Sequence, residues 1–266
     1  RFYSSADLHV FHALIKGLVK NNELDKAVEV FMHMKHRNFG ISVPSFHMIM
    51  QAYANQGNVE KTVKLFDLLI NFGFEPDFHI FVAMIGAYVN AGMMEDAVKV
   101  LDLMTIHRVK PTLSIFTTLL KGYCYQGSMR RAQEVFSMMR IYKCNPDATA
   151  YNTLLGGYVA QGDEKNAMRV LNEMKTIGGI QPDVVSWTYM MKLNFYKGNW
   201  KRAEEIFSNE MQQVGAGPDR KAVQTFIYGL ERCKQMEKAQ EVKQKYGMVK
   251  YVEPVVGSSD SPTAKQ

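Results

Sequence analysis

Three lysines, Lys16, Lys121 and Lys192, stand at one equivalent place, each five residues after an aromatic, Phe11, Phe116 and Trp187. Ammonium groups recurring in this way could line a groove and neutralise phosphates, giving an affinity that depends on salt and is blind to sequence. The other reading is a solvated helix surface. Among the seven histidines, His12 and His47 also occupy equivalent places. Neighbouring helices lie roughly 8–10 Å apart and no cysteine or carboxylate column accompanies the two imidazoles, so neither a metal site nor a cofactor is expected. Cys124, Cys144 and Cys233 form no Cys-x-x-Cys pair. An odd number at such wide spacing fits a reducing compartment better than a disulfide framework. Catalysis would need acids gathered around a metal, or a nucleophile beside its base. No such constellation interrupts the sequence, and the expectation is a non-enzyme without a small-molecule substrate.

The elements that must position these side chains are repeats. Phe11, Phe46, Phe81, Phe116, Tyr151 and Trp187 are separated by 35 residues four times and then by 36. Eleven residues after each comes a turn residue, Asn22, Gly57, Gly92, Gly127, Gly162 and Gly198. Five further on stands a small one, Ala27, Thr62, Ala97, Ala132, Ala167 and Ala203. A fourth column ends repeats with Pro76-Asp77, Pro111-Thr112, Pro146-Asp147, Pro182-Asp183 and Pro218-Asp219. Self-similarity at such a period is the signature of a solenoid or array.

Within a repeat, apolar residues recur at three- and four-residue steps, as in Phe11, Leu14, Ile15 and Leu18 and then Leu24, Ala27, Val28, Phe31 and Met34. Each repeat therefore reads as two helices joined by a tight turn, and proline separates one repeat from the next because it cannot continue a helix. The boundaries are 8–42, 43–77, 78–112, 113–147, 148–183, 184–219 and 220–254, after a polar lead-in over 1–7 and before a tail over 255–266 expected to be mobile. In the sixth repeat the extra residue falls near Asn209-Glu210 and delays Met211. The seventh has Lys234 where glycine is expected and Lys243 where an aromatic or leucine is expected, as a terminal cap with a polar outer face would. Met34, Met104, Met139 and Met174 share a column whose period places them in the core. The fold expected is all-α: a right-handed α-solenoid of about seven helix-turn-helix repeats and about fourteen helices.

A chain of 266 residues with 47% hydrophobic and 22% charged residues has the composition of a folded protein. No run approaches the roughly 18 apolar residues of a membrane span. The net charge of +6 and the pI near 9.0 suit a polyanion partner mildly. Arg1-Phe2-Tyr3-Ser4-Ser5, without an initiator Met, resembles the cut site left by mitochondrial presequence processing, with cleavage after Tyr3, and points to the mitochondrial matrix. An arbitrary boundary would leave the same residues.

The strings Tyr151-Asn152-Thr153-Leu154-Leu155, AVEVFMHMK, AQEVFSMMR and AMRVLNEMK, with glycine at the turn and Pro-Asp at the end, together resemble the pentatricopeptide repeat of the plain (P) type over residues 8 to 250. The tetratricopeptide repeat is the competing reading, but its Trp-x-x-Leu-Gly pattern is missing and its period is 34 residues. The resemblance implies one RNA base per repeat, read by the residue after the opening aromatic and by the last residue of the repeat.

Carried over repeat by repeat, the pairs are His12 with Ser42, His47 with Asp77, Val82 with Thr112, Thr117 with Asp147, Asn152 with Asp183, and Thr188 with Asp219. The first and third depart from the family's code and imply no base, and the second implies only a bias to U or G. The last three resemble the combinations for G, U and G, so a 5′-GUG-3′ core is expected, read from the N-terminal repeat onward. Family members also sandwich each base with a side chain, usually valine, near the start of the repeat. Only Val185 matches here, while His9, Pro44, His79, Ser114, Thr149 and Lys221 take that place in the other repeats.

The function so implied is an organellar protein that binds single-stranded RNA along its first helices and acts in RNA processing, stability or translation. The alternative is a structural subunit of a mitochondrial ribosome or other ribonucleoprotein, binding rRNA and proteins as a scaffold. The irregular pairs of the first three repeats favour the scaffold, and the regular pairs of the fourth to sixth favour sequence reading.

Overall fold

The computed structural model describes residues 5–37, 43–215 and 217–248, with side chains from residue 9 onward. Helices come in pairs along the chain: α1 (Ser5–Lys20) and α2 (Leu24–His36), α3 (Val43–Asn55) and α4 (Val59–Asn71), α5 (Phe78–Asn90) and α6 (Met94–Ile106). There follow α7 (Leu113–Tyr125) and α8 (Met129–Ile141), α9 (Ala148–Ala160) and α10 (Glu164–Thr176). The last are α11 (Val184–Tyr196) and α12 (Trp200–Glu205), then α13 (Arg220–Arg232) and α14 (Met236–Lys245). No strand occurs among the described residues. The helix starting at Ser5 reaches into the stretch read as a lead-in, where Ala6 is a strong helix former and nothing breaks the helix before Leu8. Ser42 and the expected tail lie outside the described residues.

The chain forms two compact units, Arg1–Tyr189 and Met190–Gln266. In the first, the odd-numbered helices α1 to α9 pack successively on one another in one layer, and each even-numbered helix through α8 rests on its own partner and on the following odd helix. In the second, α13 packs against α12 and α14.

The columns of the period become the core of this packing. Phe46, Phe81 and Phe116 are fully enclosed and Tyr151 nearly so, each inserted where two repeats meet. Burying such a ring is worth roughly 1.5–3 kcal/mol relative to leaving it in water. Met34, Met104, Met139 and Met174 are buried as their column requires. Ala27, Ala97, Ala132, Ala167 and Ala203 are completely buried where the second helix crosses the first, and there any larger residue would push the pair apart. Thr62 keeps its place in that column by donating its hydroxyl proton to the Asn58 carbonyl at 2.8 Å.

Local chemistry sets the boundaries. At the first turn of the second repeat, Gly57 takes φ of 66°, and the amides of Gly57 and Asn58 donate back to the carbonyls of Ala54 and Tyr53 at 3.0 Å each. This ends the helix with its last carbonyls satisfied, in a conformation glycine adopts at least cost. Lys234 occupies the same left-handed conformation in the seventh repeat, with φ of 60°. Side chains then tie each turn to the one before it. Asn90 Nδ2 donates to the Ala54 carbonyl at 2.9 Å and Gln126 Nε2 to the Gly92 carbonyl at 2.8 Å; Gln161 does the same to Gly127. Gln56 reaches Asn22 Oδ1 at 2.6 Å.

Two repeats have one residue more than the others, and the structure spends them differently. In the fifth, the added residue lengthens the turn after α10, where Gly179 takes φ of 62°. In the sixth, it enters the second helix itself: α12 passes into one π-helical turn over Ile206–Glu210 and a 3₁₀ turn over Met211–Gln213. A π-bulge absorbs one residue without ending the helix, so Ile206, Phe207 and Met211 all remain buried.

Candidate nucleic-acid interface

Because the opening aromatics Phe46, Phe81, Phe116 and Tyr151 are buried between repeats, and Phe11 and Trp187 partly so, the residue after each turns away from that core and onto the layer of first helices. Thr117 is half-buried there, and its hydroxyl donates to the Leu113 carbonyl at 2.8 Å. Thr188 makes the same bond to the Val184 carbonyl at 2.7 Å and is 7% exposed. With the proton committed to the helix, each threonine oxygen offers the outside only lone pairs.

The terminal residue of each of the second to sixth repeats stands at the start of the next helix. One carboxylate oxygen, Oδ1, accepts a backbone N–H in Asp77 (from Ile80, 3.1 Å), Asp147 (from Ala150, 2.8 Å), Asp183 (from Ser186, 2.8 Å) and Asp219 (from Ala222, 2.7 Å). The cap pins the carboxylate in place, and in Asp77, Asp147 and Asp219 the second oxygen, Oδ2, makes no hydrogen bond. Thr112 sits in the same extended conformation without a side-chain cap. Four of the residues read from the sequence as base readers are thus helix caps as well.

The fifth pair is the most tightly built. Asn152 Nδ2 donates to Asp183 Oδ1 and Oδ2 at 3.1 and 3.2 Å, while its Oδ1 accepts from the Ser186 hydroxyl at 2.6 Å. Ser186 is fully buried and also lies 3.0 Å from Asp183 Oδ1. Asn152 is 8% exposed and retains one unused amide proton. Sequence reasoning overlooked Ser186, which locks both readers. Its signal was a hydroxyl just before the opening aromatic, where the third, fourth and fifth repeats have Ile80, Ile115 and Ala150. Ser45 is the counterpart in the second repeat, 3.0 Å from His12 Nε2.

Elsewhere the columns diverge. Val82 contributes no polar atom. His47 is half-buried, with its ring 5.0 Å from that of His79; burial first, and then the neighbouring imidazole, push its pKa below the ordinary value, with Asp77 opposing. His9, Pro44, His79, Ser114, Thr149 and Lys221 are all exposed, and Val185 is 46% exposed, so the sandwich column faces solvent throughout. Lys16 and Lys121 are exposed on α1 and α7, and Lys192 is half-buried on α11. Burial raises the Cys124 thiol to about 11, away from nucleophilic use. Among the described residues, no group of His, Cys, Asp and Glu could hold a metal, and no helix is long and apolar enough to cross a membrane.

Paired helices repeating at about 35 residues, with a capped polar pair in the second and in the fourth to sixth repeats, define an α-helical repeat protein. The family models agree. A model of the PPR repeat matches residues 9–39 and 44–74, one of the PPR repeat family matches 111–155 and 146–194, and one of the pentatricopeptide repeat domain matches 64–116 and 176–226. The chain belongs to the pentatricopeptide repeat family.

Solved structures share the fold. The crystal structure of the pentatricopeptide repeat protein PPR10 from maize superposes with a TM-score of 0.72 at 23% identity, over 89% of this chain and 34% of that one. PPR10 in complex with an 18-nt psaJ RNA element superposes at 0.56 with 19% identity, over 93% and 41%. The PPR domain of Arabidopsis thaliana protein-only RNase P 1, in complex with tRNA, gives 0.52 at 14% identity, over 72% and 95%. The chain spans about a third of the length of the maize protein. No curated protein sequence matches it.

Proposed function

We infer that the chain binds single-stranded RNA along its first helices, one base per repeat, and discriminates bases in the fourth to sixth repeats with a preference for 5′-GUG-3′. The observation that carries this reading is the state of the polar atoms in those repeats. At Thr117 and Asp147 the atoms left over are acceptors, a hydroxyl oxygen and the uncapped Oδ2. Guanine alone presents two donors side by side on its pairing edge, N1–H and N2–H, and so satisfies two acceptors. At Asn152 and Asp183 the leftovers are an amide proton and carboxylate lone pairs, which suit the mixed edge of uracil, with its carbonyls and its N3–H. Proteins of similar fold solved in complex with RNA support the RNA-binding reading.

The cellular role that goes with this chemistry is processing, protection or translation of an organellar transcript. The action proposed is binding. The test is selectivity: Thr117→Asn replaces an acceptor with a donor and an acceptor and shifts preference at the first base of the core from G to U, measured by competition between GUG and UUG strands. An unchanged preference in a folded variant overturns the one-base-per-repeat assignment.

A second reading, the scaffold subunit of a ribosome or other ribonucleoprotein, is favoured by one observation. Ile106 and Ile141, at equivalent ends of α6 and α8, are 71% and 76% exposed, as is Ile177 at 66% just after α10. A row of exposed isoleucines is the kind of surface a protein partner covers.

A further inference from the structure

The turns after α6 and α8 put charged side chains where the neighbouring repeats use glycine. Gly73 follows α4 with φ of 78° and Gly179 follows α10 with φ of 62°, whereas Arg108 and Lys143 take the equivalent turns at 55° and 58°. This conformation brings a Cβ close to the following carbonyl oxygen and favours glycine. The two side chains return nothing to the fold: both are exposed, and neither has a hydrogen bond or ion pair among the described residues. Lys110, also exposed, is unpaired in the same way. Strain kept without a local gain points to a task outside the chain. Of the nearby acids, Asp147 caps α9 and Glu75 lies 3.7 Å from His107 Nδ1. Asp102, exposed one turn before Ile106, is outnumbered by the three cations.

An aliphatic side chain accompanies each strained cation. Ile106 and Ile141 stand two residues before Arg108 and Lys143 and are 71% and 76% exposed, where the second repeat has Asn71 ahead of Gly73. Beside Ile141 a notch of about 490 Å³ opens between the two turns, walled by Lys110, Pro111, Tyr142 and Lys143, with no carboxylate in its lining. The Cys144 thiol, donating to the Pro111 carbonyl at 3.4 Å, joins the two turns. An RNA backbone would pair with the cations but leave the isoleucines in water, and a flat lipid surface would leave the notch unfilled. A protein segment with acids between apolar side chains answers all three features. We propose that the turns after α6 and α8 form a docking surface for an acidic, apolar segment of a partner protein. One of its apolar side chains enters the notch while its carboxylates meet Arg108, Lys110 and Lys143. This surface does not depend on base reading, and it supplies a chemistry for the partner of the scaffold reading.

A random-peptide library displayed on phage and selected against the full chain tests the surface. The enriched peptides carry Asp or Glu among aliphatic or aromatic residues. They lose binding to an Ile106→Asp, Ile141→Asp variant, and selection against an Arg108→Glu, Lys143→Glu variant enriches lysine and arginine peptides instead. All four side chains are exposed, so the variants keep their fold, checked by melting temperature. Arg108→Gly with Lys143→Gly adds a readout that a structural role would not give: it loses the peptides without lowering the melting temperature. No enrichment, peptides without acids, peptides that bind every variant equally, or a glycine variant that keeps them overturns the proposal. The charge-reversed variant binds the GUG strand as the parent does, and the parent does not sediment with phosphatidylserine vesicles. Loss of RNA binding in that variant would assign the cations to RNA, and vesicle binding that needs the isoleucines would assign the surface to a membrane; either result overturns the protein partner. Failure of the parent to bind the GUG strand overturns the RNA reading and leaves this surface standing.

Discussion

At the scale of single residues, the proposed interface asks two tasks of one side chain. Asp147 caps α9 with Oδ1 and leaves Oδ2 as an acceptor, and the two tasks separate by substitution. Asp147→Ala removes both: we expect a loss of about 0.5–2 kcal/mol in stability and loss of selection for G. Asp147→Asn keeps a side-chain oxygen for the cap, so denaturant unfolding stays close to the parent while the preference for G over other bases falls in competition binding. If the asparagine variant retains full selectivity, Oδ2 is not the reading atom. Asn152 shows why part of this site could not be read in the sequence. Its column and its partner Asp183 followed from the family resemblance. That its carbonyl is occupied by Ser186 and its amide by Asp183 depends on where the next helix begins, which the period alone does not give to the residue.

The element scale is where the sequence spoke most clearly and where one of its irregularities found its physical form. Turn residues, buried aromatics and prolines each recur with the period, and the helices begin and end where those columns place them. The extra residue noticed near Asn209-Glu210 became a π-helical turn over Ile206–Glu210. Spacing announced an insertion, but whether a helix bulges or a loop lengthens is decided by packing. Here Phe207 stacks on Phe226 with ring centres 4.2 Å apart, and the bulge keeps it there. The inter-repeat ladder through Asn90, Gln126 and Gln161 escaped the sequence reading because its members do not share one column: Asn90 stands nine residues after Phe81, Gln126 and Gln161 ten after Phe116 and Tyr151. Lys234 marks the element-scale prediction. A non-glycine residue at φ of 60° bears a penalty of roughly 1–2 kcal/mol, partly offset by the chain entropy that glycine restores to the unfolded state. Lys234→Gly is therefore expected to raise stability by about 0.5–1 kcal/mol, seen as a higher denaturation midpoint with an unchanged slope. A drop in the midpoint would mean that the lysine side chain contributes a contact worth more than the strain.

For the whole molecule, stability is a sum of repeats and the interfaces between them. Removing one interface ring should therefore be felt beyond its own repeat. Phe116 is fully buried, and Phe116→Ala is expected to cost about 3–5 kcal/mol, read by chemical denaturation. A cost under about 1 kcal/mol would show that the aromatic column is not what joins adjacent repeats. The surplus of positive charge is also a property of the whole chain. A net charge of +6 steers a polyanion toward the protein and adds salt-dependent affinity, but it cannot distinguish one base from another. Discrimination has to come from the polar pairs of the fourth to sixth repeats, and the central claim stands or falls with them. Its most direct measurement is fluorescence-anisotropy binding of the chain to a single-stranded RNA containing GUG and to the same strand with CAC in its place, both at about 0.15 M salt. Tighter binding to the GUG strand is the result predicted here, whereas equal, weak and salt-sensitive binding to the two strands would contradict it.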